Sequence, residues 1–349
     1  ALPISLLAGV KATGMAAACT SYPIDCFAGA YNPAGMTLLC DRFDLGANTV
    51  HFRQSTTIVN YTPTPDPFGF GPQDGRRNGA RTSENYGGEF GINKKFCFNA
   101  CNQNIELALS LIGYNRNFIK TTYSQPYTIF GTSSPGLEYI HETIAPILSA
   151  RFFERHSIGI AFNYHIQRLK VNGLENFKTL FAARSVDATH TTNRGYNYSQ
   201  GFGVTIGYLC EVTDCLRVGG SWQPKQKMSR FKKYDGFVAD HGRFDIPDRW
   251  QVGVSYSVLP SLTIAGDYEY INWKTIPQLG NKPFPNFFLS LLGSPDGAGF
   301  GWDNQHYWRV GVNYDVNSAF TVRAGFRHTN APIRSSYTAI NLLTLDCVE

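Results

Sequence analysis

Along most of the chain, hydrophobic and polar residues alternate with a period of two. Ile158, Ile160, Phe162, Tyr164 and Ile166 interleave with Ser157, Gly159, Ala161, Asn163, His165 and Gln167. The same alternation runs through Trp250, Val252, Val254, Tyr256 and Val258, through Trp308, Val310, Val312, Tyr314 and Val316, and through Phe320, Val322, Ala324 and Phe326. A period of two is the signal of a strand, because successive side chains point to opposite faces. It predicts about eleven strands, near 43–56, 85–97, 104–118, 142–154, 156–169, 195–210, 215–230, 246–258, 261–274, 304–316 and 319–329.

The connections alternate as well. They are short at 99–104, 154–156, 212–214, 259–261 and 317–319, and long at 57–84, 119–141, 170–194, 230–245 and 275–303. Short turns on one rim and long loops on the other are the pattern of an outer-membrane barrel. A soluble sandwich would bury the apolar face as its core, and its connections would have no reason to alternate in length. The expected fold class is therefore all-β, a transmembrane antiparallel β-barrel. Its apolar face meets lipid, and Tyr and Trp sit at the ends.

Composition agrees. Aromatic residues make up 14% of the chain, glycines number 34, and charged residues are only 16%, against about 25% in ordinary soluble domains. The net charge of +5 comes without a basic run, which argues against a nucleic-acid partner. No stretch of eighteen or more apolar residues offers a spanning helix, so a membrane role requires a closed sheet. Ala1 at the start is what a mature exported chain shows after cleavage behind a small residue. The segment after Ala331 has no clear membrane strand, and single-chain barrels take even strand numbers, so a C-terminally incomplete barrel is expected.

The eight cysteines add a compartment. Cys97 and Cys101 flank Phe98-Asn99-Ala100, Cys210 and Cys215 flank Glu211-Val212-Thr213-Asp214, and Cys19 and Cys26 bracket 20–25. Such spacing suggests disulfides across periplasmic turns and one in the N-terminal segment, hence an oxidising compartment. Cys40 and Cys347 would be left to pair with each other. A metal site competes poorly, since no neighbouring CxxC or finger-like histidine spacing exists. No cofactor is expected. Neither HExxH, GxSxG nor a P-loop occurs, so the chain does not read as an enzyme.

Residues 1–41 lack the alternation and are rich in small residues; 42–349 carry it. Within 1–41, Gly14-Met15-Ala16-Ala17-Ala18 and Asn32-Pro33-Ala34-Gly35-Met36 resemble the N-terminal plug of the FadL family. Asp248-Arg249-Trp250-Gln251-Val252-Gly253-Val254-Ser255-Tyr256, followed by Leu262-Thr263-Ile264-Ala265-Gly266-Asp267-Tyr268 and Trp273, is similar to that family's central hairpin. Tyr307-Trp308-Arg309-Val310-Gly311-Val312-Asn313-Tyr314, Phe320-Thr321-Val322-Arg323-Ala324-Gly325-Phe326 and Ala331-Pro332-Ile333 resemble the next. The resemblance implies a barrel of about fourteen strands around a plug, in the outer membrane of a Gram-negative bacterium. It implies passive uptake of long-chain fatty acids or other hydrophobic compounds, among outer-membrane lipid and lipopolysaccharide. It also implies that the plug shifts to release ligand sideways through a kinked third strand. A general diffusion porin or a disulfide-stabilised structural barrel is the alternative.

Three local features are candidates for these roles. Asn32-Pro33-Ala34 begins with a rigid turn suited to a plug, and is expected near Gly113. Gly113 lies in the third strand, where a glycine often marks a bulge or simply relieves crowding. Phe287, Phe288 and Leu291 belong to the apolar loop stretch 284–292, which reads either as a ligand-capturing surface or as a helix packed on its neighbours. Arg168, Arg309 and Arg323, with Arg327, are the expected lumen cations. They would hold a carboxylate head group bidentately or pair with Asp267, Glu269 or Asp315.

Overall fold

The computed structural model describes residues 7–52, 55–58, 75–78, 83–100, 103–338 and 340–344. Eleven strands form one antiparallel sheet in chain order. They are β1 Arg42–Phe52, β2 Ser83–Ala100, β3 Gln103–Thr122, β4 Gly136–Phe152 and β5 His156–Asn172. β6 Asn197–Glu211, β7 Leu216–Gln223, β8 Arg249–Leu259, β9 Leu262–Ile271, β10 Gln305–Asp315 and β11 Thr321–Thr329 follow. Each strand pairs with its neighbours in sequence, so the sheet is a curved meander that stays open between β1 and β11. Ser55–Ile58 and Gly75–Asn78 form a separate hairpin in the first long loop. Among the described residues no helix is long and apolar enough to cross a membrane, and the crossing falls to the strands.

The expected strand positions hold, with shifted ends. β7 stops at Gln223, because Gln226, Met228 and Arg230 leave the ladder and make isolated bridges to Ile246, Gly201 and Arg243. β3 and β4 run further into the loop side than the alternation predicted.

Alternation sorts the two faces. On β4 and β5, Ser149, Ser157, Asn163 and His165 are buried, while Leu148, Ile158 and Phe162 are exposed. This inverts a soluble protein, as lipid on the outer face requires. The outer rings meet across strands in register: Trp222 stacks on Trp250 at 5.3 Å, while Tyr164 and Phe202 at 4.9 Å and Tyr268 and Trp308 at 4.6 Å are tilted pairs.

Residues 7–41 fill the inner side of the sheet toward the short turns. They form a helix at Val10–Gly14 and two 3₁₀ turns at Cys26–Ala30 and Pro33–Leu38. Asp25 and Asn32 cap those turns by accepting from the N–H groups of Phe27 and Ala34, and Pro33 fits the first position because no N–H is needed there. A segment without a ladder must satisfy its backbone elsewhere. Inward side chains do so. Asp267 Oδ2 accepts from the N–H of Cys19 and of Thr20, both at 2.8 Å, and Ser149 and Ser221 donate to the carbonyls of Pro33 and Tyr31 at 2.6 Å.

The segment also lies very close to the wall, and glycines make room for it. A Cβ on Gly159 would sit 2.5 Å from Pro33 C and Ala34 N, and one on its cross-strand partner Gly207 2.1 Å from Asn32 Oδ1. Gly219, Gly311 and Gly325 face Thr20 and Met15 in the same way. Asn32-Pro33-Ala34 therefore rests on β4–β7, not near Gly113 as the sequence led us to expect. A Cβ on Gly113 would meet the Phe90 ring at 2.3 Å, so that glycine makes room for a wall side chain.

The expected disulfides are absent among the described cysteines, which are free: Cys19, Cys26, Cys40, Cys97, Cys210 and Cys215. Register explains the hairpin pair, since Val218 and not Cys215 stands opposite Cys210. Within the plug, the Cys19 N–H bonds to Asp267 on β9 and the Cys26 N–H to Asp44 on β1, which holds the two cysteines at different walls. Cys101 and Cys347 lie outside the described residues, so their pairings with Cys97 and Cys40 do as well.

Candidate functional site

Above the plug, toward the long loops, the lumen is closed by aromatic packing around a small apolar cavity of about 50 Å³. The wall supplies Asn117 and Ile119 from β3, Leu137, Tyr139 and His141 from β4, and Leu169 from β5. Two long loops fold down to complete it. The loop after β7 brings Phe244, whose ring meets Tyr139 edge-on at 5.0 Å. The loop after β9 brings Trp273 and Trp302, which meet edge-on at 5.6 Å. Their indole N–H groups donate to Gln305 Oε1 at 3.1 Å and Asn341 Oδ1 at 2.8 Å, so both rings are held in fixed positions.

Beneath the cavity the lumen turns polar. His141 and His165 are completely buried, with His141 Nε2 3.0 Å from His165 Nδ1 and His165 Nε2 bonded to Gln226 Oε1. Arg249 donates to Glu269 at 3.3 Å and to the carbonyl of Ala30 at 3.0 Å, and Arg309 completes the ion pair with Glu269. An apolar chamber thus sits on a charged layer that is bonded in turn to the plug.

The wall beside the chamber is irregular. The β2–β3 ladder ends at Phe90–Gly113, whereas β3 stays paired with β4 as far as Thr122–Gly136. A register shift between Asn115 and Asn117 bulges β3 at Arg116, so the irregularity lies beyond Gly113. Where the ladder has stopped, the Asn115 side chain lies against Gly87 of β2. Asn117 and Ile119, just past the bulge, line the cavity.

The expected ligand residues fall elsewhere. Arg309 is inward and buried but committed to Glu269. Arg323 packs on Gly14 of the plug. Arg168 shares the outward row with Phe162 and Tyr164 and stacks over the Tyr196 ring at 4.9 Å, so it is not a lumen cation. Phe287 packs on Phe177 and Phe181, while Phe288 and Leu291 are exposed on the outer loops. Asn32, Pro33 and Ala34 are buried in the plug. Sequence reasoning missed the aromatic chamber because its loop residues follow no period; two tryptophans close to strand ends, Trp273 and Trp302, were the available signal.

Of metal-ligating groupings, the described residues bring together Asp187, His190 and Asp235. His190 Nδ1 is hydrogen-bonded to Asp187 Oδ2 at 2.7 Å and lies 3.4 Å from Asp235 Oδ1, so the group spans two loops. Burial raises Asp25 in the plug, with neighbouring Asp44 adding to the effect.

A family model described as outer membrane protein transport protein (OMPP1/FadL/TodX) matches residues 7–342. Among solved structures, the Ralstonia pickettii toluene transporter TbuX is similar at 16% identity and a TM-score of 0.57, over 92% of this chain and 86% of its own. The Pseudomonas putida toluene transporter TodX gives 12% identity and a TM-score of 0.63, over 92% and 83%. A Pseudomonas aeruginosa FadL homologue gives 14% and 0.59, over 95% and 81%. None of the curated proteins matches the chain.

Proposed function

Because the chain belongs to the OMPP1/FadL/TodX family of outer membrane transport proteins, a channel for hydrophobic compounds in a Gram-negative outer membrane and not an enzyme, we propose that its loop-side chamber takes up compact hydrophobic molecules and passes them sideways through the β2–β3 seam when the plug shifts. One observation carries this reading. The apolar cavity is lined by β3 residues that lie beyond the end of the β2–β3 ladder. An apolar ligand there has a route to lipid that avoids the polar lumen, where each wetted CH₂ loses roughly 0.8 kcal/mol.

The chamber's size and lining favour an aromatic ring over an acyl chain. At about 50 Å³ it is well short of the roughly 150 Å³ that admits benzene in an apolar core, so ligand entry requires the rings to move. Aromatic hydrocarbons, the toluene carried by TbuX and TodX among them, are the first substrate class, and long-chain fatty acids the second. The exposed Phe288 and Leu291 form the outer surface on which either first lands.

The test combines a deletion with a cross-link. Removal of residues 1–35 should alter uptake of labelled toluene and labelled fatty acid, and should raise leakage of small polar solutes. In that background, oxidation of a Gly87→Cys, Asn115→Cys pair should block hydrophobic uptake and leave polar leakage intact. Hydrophobic uptake indifferent to both changes would overturn plug gating and lateral exit, and would favour a general porin or a structural barrel.

A further inference from the structure

One residue of the cavity lining carries a buried polar atom that the surrounding protein leaves unmatched. Of the cavity-lining residues, only His141 carries a fully buried side-chain nitrogen or oxygen with no hydrogen-bond partner within the protein, its Nδ1. The residue itself is 0% exposed. A buried unpaired polar atom is costly, and beside a cavity whose rings must move to admit a guest it is open to a partner that the guest brings.

The hydrogen-bond chain fixes what that atom offers. Gln226 Nε2 donates to the carbonyl of Val204 at 2.8 Å, so its Oε1 is the end that faces His165. His165 Nε2 must then carry the proton. With a neutral ring, as burial without a carboxylate partner favours, His165 Nδ1 is a bare acceptor. Thr143 Oγ1 and His141 Nε2 both lie 3.0 Å from this single lone pair; an unprotonated His141 Nε2 would set two ring lone pairs against each other, so His141 Nε2 carries the N–H that points there. His141 therefore spends its single N–H on His165, and its Nδ1 is left as a lone pair. The protein sets this tautomer from three residues away.

We propose that His141 Nδ1 selects hydrophobic ligands that carry one hydrogen-bond donor, an aromatic or aliphatic body bearing an O–H, over bare hydrocarbons of the same shape. The inference rests on the chamber being the ligand site, as proposed above. It assigns the polar end of that ligand and its sense, donor rather than acceptor.

The experiment is equilibrium titration of the purified protein in detergent with p-cresol, p-xylene and 4-methylanisole, each corrected for its own partition into micelles. These probes share a ring and a methyl group; the first donates a hydrogen bond, the second does neither, and the third only accepts. Wild type should prefer p-cresol over both others by on the order of tenfold, the worth of one hydrogen bond to a buried acceptor. His141→Phe should bring the three affinities together. Wild-type 4-methylanisole binding as tight as p-cresol would overturn the inference without any variant. So would a p-cresol preference that survives in His141→Phe. Absence of binding by all three would instead refute the chamber as the ligand site, and the inference would fall with it.

Discussion

Toward the short turns, the lumen is filled by backbone: residues 7–41 lie against glycines and bond to inward Asp, Ser, Asn and Arg side chains. Toward the long loops, it is filled by rings that pack on one another around a small, mostly apolar cavity. The two fillings respond differently to water. Each hydrogen bond that holds the plug contributes only about 0.5–1.5 kcal/mol net, because water replaces it when the segment withdraws. The aromatic half gains no such replacement; wetting it costs about 25 cal/mol per Å². Water can take the place of the bonds in one filling and not of the contacts in the other, which is the difference the proposed plug and ligand chamber rest on.

The sharpest way to break this contrast is steric. Gly159→Leu places a side chain where a Cβ alone would sit 2.5 Å from the plug backbone. Backbone cannot rotate out of the way as a flexible side chain does, and overpacking of this kind costs about 1–3 kcal/mol or more. The expected outcome is a displaced plug and a large rise in liposome swelling with small sugars. Swelling equal to wild type would show that the close approach at Gly159 does not hold the plug. A smaller effect of the same sign is expected from Asp267→Ala. It leaves the N–H groups of Cys19 and Thr20 buried and unpaired, at about 1–3 kcal/mol each if water is excluded and less once it enters. Asp315→Ala, at the exposed end of β10, is the control and should leave swelling unchanged.

Much of the wall was legible in the sequence because lipid permits so little else. A strand with one face in hydrocarbon must alternate, so Ile158 to Ile166 and Trp250 to Val258 announce themselves. The same parity places Arg168 outward beside Phe162 and Tyr164, and assigning it to the lumen disregarded that rule. Cysteine spacing misled for a related reason. What faces a residue across a hairpin is set by register, and register puts Val218 opposite Cys210. The site was hardly legible. Phe244, Phe300 and Trp302 come from loops that fold into the mouth, where no period survives, and the Arg116 bulge has no glycine to mark it. The glycine rows were visible only as a count; that they oppose one another and the plug is a matter of register.

The smallest expected effect concerns the rim of the aromatic half. Asp303, at the end of the loop after β9, is held down to about 2 chiefly by hydrogen bonds from Arg334, with Lys274 adding to it. Arg334 Nε and Nη2 donate to its carboxylate at 2.7 and 2.9 Å, and the Asp303 N–H donates to the carbonyl of Pro332. This clamp fastens the segment after β11, whose Asn341 orders the Trp302 indole. The folded-state value lies below the unfolded value of about 3.9, so the contribution is complete above that pH and is lost as pH falls toward about 2. Exposed ion pairs contribute little, so the change should be modest. Tryptophan emission should shift red between about pH 4 and 2 in wild type, and Trp302→Phe should remove most of that shift. In Arg334→Gln the step should shrink, because half the clamp is already gone at neutral pH. An identical step in Arg334→Gln and wild type would detach the rim pair from the packing of Trp302, leaving the aromatic half to hold itself together without its polar border.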